Sequence, residues 1–361
     1  MTHRWKRRLM RALVVVIALA APAYVWRAEL ALNIAQRVAD SHMRQDAIAE
    51  LPDGLHVGLC GAGSPFPDEL RGGPCTLVLA GRQMLVFDAG NQATRNITRM
   101  RFAMGRIDAA FLTHFHSDHI DGLGELLLQR WIQGGHDRPL PVFGPSGVSH
   151  VVNGLREAYG LDQTYRTAHH GETVAPPSGF GASAQPFELA DSTIHTVYDH
   201  DGVTVEAFAV HHAPVHPAVG YRIRYKGRSV VISGDTTPLP IVVTAAKGAD
   251  LLLHEALSPR LVSMLGQAAG NAHQNRLARI MKDIVDYHTT VEQAAEVAQA
   301  AGVHALVLHH IVPMLPDLPG LATAFLGRAP ELYTGSLTIG RDGDFFSLPA
   351  GSRTITHSQR F

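Results

Sequence analysis

The chain has 361 residues, 46% hydrophobic and 17% charged, with a formal net charge of −1. That much apolar material excludes a disordered chain, and two cysteines exclude a disulfide framework. The near-neutral balance lacks the basic surplus of a protein built mainly to grip nucleic acid, and only one apolar run approaches the length of a membrane span.

That run stands at the N-terminus. Arg4, Lys6, Arg7, Arg8 and Arg11 precede an apolar stretch from Ala12 to Trp26, with small residues at Ala20–Ala23. The pattern reads as a signal peptide, or as one N-terminal membrane anchor, over residues 1–30. Either reading predicts an exported, periplasmic or extracytoplasmic protein. A linker is expected over 31–50, a catalytic domain over 51–350 and a tail over 351–361. Export would permit Cys60 and Cys75 to pair; two small buried hydrophobes are the alternative.

From residue 55 short strands and helices alternate. His56–Cys60, Cys75–Ala80 and Gln83–Asp88 read as strands, the last two joined at Gly81-Arg82. Residues 92–104 carry helical spacing, and Ile107–Thr113 is an apolar strand covered on both faces. Leu123–Gln133 is an amphipathic helix. Residues 160–190, with Pro176-Pro177 and many small residues, read as a long loop or lid, with Tyr165, Arg166, His169 and His170 as substrate contacts. Strands resume at Val203–Val210, Val219–Tyr225, Ser229–Ser233 and Asp250–His254. Helices follow at 277–287 and 291–301, then a strand at 305–309, a helix at 321–327 and strands at 336–339 and 345–348. This order predicts an α/β protein with helices outside two packed sheets.

The chain has 22 histidines, and several cluster at strand ends. Thr113-His114-Phe115-His116-Ser117-Asp118-His119 follows the apolar strand directly. Histidines two apart on extended chain point the same way. Imidazole and carboxylate packed this closely are costly unless solvated, protonated or bound to metal, and they suit zinc and related divalent ions. Later strands end in His211-His212, in Ser233-Gly234-Asp235-Thr236 and in His309-His310. Polar residues delivered to strand carboxyl ends are where open sheets build sites.

On the motif His114-x-His116-x-Asp118-His119, with His212, Asp235 and His310 in order, residues 55–348 resemble the metallo-β-lactamase superfamily. Gly61-Ala62-Gly63-Ser64-Pro65, Phe87-Asp88-Ala89-Gly90, Gly220-Tyr221-Arg222-Ile223, His254-Glu255-Ala256 and His288-Thr289-Thr290 resemble its ribonuclease Z-like, arylsulfatase-like branch. The resemblance implies a four-layer αββα sandwich with a dinuclear metal cleft. One ion would take His114, His116 and His212, the other Asp118, His119 and His310, and Asp235 would bridge them. Two divalent ions are implied, zinc first, with manganese or iron as alternatives. Asp118 would also orient a water, and His288, held by Glu255, would serve as general acid or phosphate clamp. His211 and His309 are expected to be exposed, and His254 to be an ordinary strand-end residue.

The predicted activity is metal-dependent hydrolysis of a small anionic ester, a phosphodiester or an aryl sulfate. RNA is not expected as a partner: the chain reads as exported, it is not basic, and the interval from Ile223 to Ser233 has no room for a protruding RNA-binding arm. A ribonuclease Z-like enzyme trimming the 3′ ends of transfer RNA precursors is the alternative. An iron-dependent redox protein or a non-catalytic metal-binding module is a further one.

Overall fold

A computed structural model describes residues 3–44, 46–190 and 192–361. The chain divides into two compact units, Met1–Ala47 and Ile48–Phe361. The first consists of helices α1 (His3–Val25) and α2 (Arg27–Arg44). Ala20–Ala23, read as a cleavage site, lie within α1, where the side chains are outside the described residues. The expected membrane anchor is corrected: no helix among the described residues is long and apolar enough to cross a membrane. The physical reason is length, because the apolar run falls short of the ~20 residues that a bilayer core requires.

The second unit holds two sheets. Strands β1 (Gly54–Gly61), β2 (Cys75–Ala80), β3 (Gln83–Phe87), β4 (Ala109–Phe111), β5 (Leu140–Pro145) and β6 (Ala182–Phe187) belong to the first. Strands β7 (Ile194–His200), β8 (Val203–His212), β9 (Val215–Tyr225), β10 (Arg228–Ile232), β11 (Leu251–Leu257), β12 (Ala305–Val312) and β13 (Ser336–Ile339) form the second. The chain then returns to the first sheet through β14 (Asp344–Pro349) and β15 (Thr356–Gln359). The first sheet runs β15-β14-β1-β2-β3-β4-β5-β6 and the second β13-β12-β11-β10-β9-β8-β7. One half of each sheet, β15-β14-β1-β2-β3 and β7-β8-β9-β10, is antiparallel, while β3 to β6 and β10 to β13 are parallel because helices connect them.

The period-two rule divides each strand between two cores. Val230, Ile232, Leu251, Leu253 and Val307 face the first sheet, where Leu55, Val57, Phe87 and Phe111 meet them. Their neighbours Val231, Leu252, Leu306 and Leu308 face outward. Helices α3 (Ala93–Arg99), α4 (Ser117–Ile120), α5 (Leu123–Gly134), α6 (Val148–Ala158) and α7 (Gly160–His170) leave the first sheet's connections. Helices α8 (Pro240–Ala246), α9 (Pro259–Asn271), α10 (Asn275–Asp283), α11 (Val291–Ala301), α12 (Leu321–Leu326) and α13 (Ala329–Leu332) leave those of the second. Val242 and Ala245 of α8 and Ala294, Ala295 and Ala298 of α11 cover the outward core. The αββα sandwich is thus the observed fold.

Several elements depart from the sequence reading. The expected loop over 160–190 is not a loop: α7 runs to His170 and β6 begins at Ala182. Helix α7 buries no residue, and its Leu161 and Tyr165 are exposed, so its apolar positions are not core positions. Cys60 and Cys75 are joined by a disulfide between the end of β1 and the start of β2.

Candidate metal centre

The site lies where β4, β8, β10 and β12 end. Its floor is set by Tyr221, fully buried, whose hydroxyl crosses between the sheets to donate to the Leu112 carbonyl at 2.6 Å. The chain beyond Leu112 is then fixed by Asp88. This carboxylate accepts from the Thr113 amide and from the Thr113 hydroxyl, each at 2.8 Å. One turn of helix, α4, places Asp118 and His119 beside His114 and His116. That turn packs hard against backbone: a Cβ at Gly90 would lie 2.2 Å from the Asp118 carbonyl oxygen.

Two strand irregularities aim the remaining imidazoles. Register slips between Val210 and His212 on β8, and again where β12 passes His310. His310 sits at that bulge with φ of 47°, a left-handed conformation seldom adopted by a non-glycine residue. A bulge re-aims a side chain, and here it turns His310 toward Asp118 and Asp235.

The donor atoms converge. His114 Nε2 lies 3.0 Å from His116 Nδ1, and His212 Nε2 lies 3.4 Å from the same atom. Asp235 Oδ2 stands 3.8 Å from His114 Nε2 and 3.7 Å from His212 Nε2. The same oxygen is 3.4 Å from His119 Nε2 and 3.1 Å from His310 Nε2. Asp118 Oδ2 lies 3.6 Å from His119 Nε2 and 3.4 Å from His310 Nε2. His114, His116, His212 and Asp235 thus form one group able to hold a metal ion, and Asp118, His119 and His310 a second. Asp235 stands between them.

The chemistry of these atoms fits a metal. Asp118 Oδ2, His119 Nε2 and both ring nitrogens of His310 are buried without a hydrogen-bond partner in the protein. Buried polar groups are ordinarily paired, so such a set is costly unless an ion satisfies it. The outer nitrogens are held as metal-ligating histidines require. His119 Nδ1 contacts Asp88 Oδ2 at 2.8 Å and His212 Nδ1 contacts the Tyr287 carbonyl at 3.0 Å. His114 Nδ1 lies 3.1 Å from the Thr113 hydroxyl. Sequence reasoning quoted Asp88 only within a motif and gave it no role. A carboxylate at the end of an apolar strand was the available signal.

His288 is buried with Nδ1 at 3.1 and 3.0 Å from the two Glu255 oxygens. Burial disfavours the charged ring, but the charge and hydrogen bonds of Glu255 outweigh it and push the pKa up to about 9. His288 also belongs to a third donor group with Asp235 and His310. His254 is fully buried, its Nδ1 near the Glu255 carbonyl at 2.8 Å. His211 is exposed, as expected, but His309 is not. His309 is 5% exposed, and burial, aided by the neighbouring His310, lowers its pKa to about 3. The cause is the bulge at His310, which breaks the strict alternation assumed for adjacent residues.

The cavity at the donor groups, about 340 Å³, is lined on one side by His116, Asp118, Asp235 and His288. Its other wall is apolar: Phe66, Ile280, Ile284 and Tyr287. Tyr165, Arg166, His169 and His170 are not among its lining residues; they lie on α7, where Tyr165 is 59% exposed.

Comparison with known proteins places these observations. Residues 83–311 match the model of the beta-lactamase superfamily domain. A protein named ribonuclease Z from Mycobacterium sp. (strain KMS) is 38% identical over 289 residues, 80% of this chain and 94% of that protein. Among solved structures, human tRNase Z, short form, superposes with a TM-score of 0.58 at 21% identity, over 81% of this chain and 99% of that one. The metallo-beta-lactamase fold protein YhfI from Bacillus subtilis superposes with a TM-score of 0.56 at 18% identity, over 85% of this chain and 100% of that one.

These relatives correct two expectations. A small anionic ester in place of RNA is overturned by near full-length similarity to proteins named ribonuclease Z. Whole-chain net charge was the wrong guide, because it averages over every surface and is blind to a local patch. Export, with the signal peptide and the periplasm, is likewise overturned by those relatives.

Proposed function

This chain belongs to the metallo-β-lactamase superfamily of metal-dependent hydrolases, in its ribonuclease Z-like branch, and from that premise we propose that it is an endoribonuclease processing the 3′ ends of transfer RNA precursors. The observation that carries the reading is the pair of donor groups joined at Asp235, in a chain similar over 80% of its length to a protein named ribonuclease Z.

In this reading His114, His116 and His212 would hold one divalent ion and Asp118, His119 and His310 a second, with Asp235 shared between the two sets. Zinc fits the nitrogen-rich set best, and manganese is the alternative. Two such ions, when bound, bring a water's pKa toward neutrality and neutralise charge on a phosphoryl group. The chain's own groups do the rest. Asp118 orients the attacking water. Glu255 fixes the His288 ring through Nδ1, which leaves Nε2 to give a proton to the departing ribose oxygen.

The test is cleavage of a transfer RNA-like hairpin carrying a 3′ extension, by the full chain supplied with zinc or manganese. Asp118→Ala and His114→Ala are the controls. A single cut at the base of the extension, lost in both variants, supports the reading. Protein that holds two metals and hydrolyses bis(p-nitrophenyl) phosphate but leaves the RNA whole would overturn it.

A further inference from the structure

A third donor group overlaps the two already assigned. Asp235, His288 and His310 each offer an atom within 4.8 Å of the others. Asp235 and His310 belong to the assigned sets, so His288 is what this group adds. Its ring is presented as a metal-ligating imidazole is. Nδ1 stands 3.0 Å from Glu255 Oε2, which leaves Nε2 free of that contact. His119, a member of the second donor group, is held in the same way, with Nδ1 2.8 Å from Asp88 Oδ2.

The second and third groups meet at one atom. His310 Nε2 lies 3.4 Å from Asp118 Oδ2 and 3.1 Å from Asp235 Oδ2. A neutral imidazole nitrogen has one lone pair, so this atom serves one ion at a time. An ion on Asp235, His288 and His310 therefore excludes an ion on Asp118, His119 and His310. The two groups are alternative seats for one ion, with His310 common to both.

The seats differ in depth. Asp235, His288 and His310 all line the cavity of about 340 Å³, whereas His119 does not. His119 is 1% exposed and His288 8%. An ion arriving through the cavity meets a complete set of three donors before it reaches His119. Passing inward exchanges His288 for Asp118 and His119 while His310 keeps its hold. The inner seat also keeps Asp235, whose Oδ2 is 3.4 Å from His119 Nε2, so it offers four residues against three. That surplus draws the ion inward and frees His288.

We propose that Asp235, His288 and His310 form an entry seat that holds the second metal ion before it settles on Asp118, His119 and His310. Binding there displaces a proton from the His288 ring to solvent and leaves the contact with Glu255 in place. His288 thus serves as a ligand during loading and as the proton donor of the proposed reaction once the ion has moved on. The inference rests on the two-ion assignment and not on the identity of the substrate.

The test uses the full chain, stripped of metal with a chelator and supplied with cobalt(II), whose absorption reports its ligands. In Asp118→Ala the inner seat lacks a donor, and the ion should stop at the entry seat. That chain should retain nearly two ions, and Asp118→Ala with His288→Ala only one, the Kd of the second rising at least about tenfold. His288→Ala alone should hold both ions at equilibrium but take up the second at least about tenfold more slowly in stopped-flow absorbance. The first ion, on His114, His116 and His212, is the internal control for folding. Asp118→Asn with His288→Gln repeats the comparison if the alanine variants lose it. Equal retention of the second ion with and without His288 in the Asp118→Ala background would overturn the inference. So would an uptake rate in His288→Ala equal to that of the parent. Loss of the second ion from His288→Ala alone would also overturn it, by making His288 a resident ligand. In all three cases a parent with two ions leaves the two-ion assignment standing, whereas a parent that binds only one ion removes that assignment and the entry seat with it.

Discussion

Glu255 and His288 are joined by two short contacts, and the same Glu255 Oε1 also accepts from the Thr236 amide at 2.9 Å and the Thr289 amide at 3.1 Å. One buried carboxylate therefore ties the residue after Asp235 to the residue after His288. The Thr289 hydroxyl donates to the Thr236 carbonyl and closes the clamp from the other side. The bridging ligand and the general acid of the proposed mechanism are thus held by a single group.

Glu255→Gln separates these duties. The amide oxygen still accepts from Thr236 and Thr289, so the loops stay in place. Its NH2 group then donates to His288 Nδ1, so the ring stays neutral with its one proton on Nε2, a far weaker acid than the imidazolium that Glu255 favours. We expect kcat on RNA to fall about 100-fold with KM little changed and two metals retained. Steady-state kinetics with metal analysis checks this; a kcat within twofold of the parent would contradict it.

Asp235→Asn and Asp88→Asn test the metal centre at two depths. Asp88 touches His119 Nδ1 but lies outside the donor groups, so its loss should weaken metal binding by roughly 10–100-fold. Asp235 stands between both groups and should cost more than that, leaving fewer than two ions per chain. Metal content after dialysis against a graded chelator gives the order; equal retention in the two variants would refute it.

The Cys60–Cys75 bond closes a short loop, the two residues being 15 apart in sequence. In the chain-entropy account a loop of that length contributes about 3 kcal/mol. Replacing both cysteines by alanine should lower the urea midpoint by that amount of stability, with the denaturant slope unchanged. A loss under about 1 kcal/mol would show that the loop is held by its other contacts.

Those other contacts centre on Asp342. Its carboxylate accepts from the Ala62 amide at 2.9 Å, the Gly72 amide at 2.7 Å and Asn96 Nδ2 at 2.6 Å. Burial raises its pKa to about 6 against the pull of these donors and of Arg71. A carboxyl whose folded pKa lies above its unfolded value binds more protons when folded. Its contribution is present in full below about pH 4 and is lost as pH rises through about 6. Relative to Asp342→Asn, which does not titrate, the parent should lose roughly 2 kcal/mol between pH 4 and pH 7. Urea unfolding at both values decides the matter; a difference independent of pH would place the carboxyl's pKa at its ordinary value.

Much of the fold was legible because strand patterning is local. β2, β3, β10 and β13 were each found within a residue or so, since apolar runs bounded by turn residues need no tertiary information. β7 and α7 were missed for the opposite reason. Neither contains a fully buried residue, so neither shows the continuous apolar run of a core element. The lid was therefore sought at 160–190, whereas the cavity wall comes from α10, whose apolar face turned out to look onto the cleft.

What the sequence alone determined was the chemistry of the donors. The types and order of His114, His116, Asp118, His119, His212, Asp235 and His310 are those of a metal-binding set, and they sit at or just after strands that local pattern can locate. The tertiary structure decided how these residues meet. A bulge chose between His309 and His310, and β11 brought Glu255 to a histidine 33 residues away. Convergence of side chains from distant strands is a property of packing, and no window along the chain contains it.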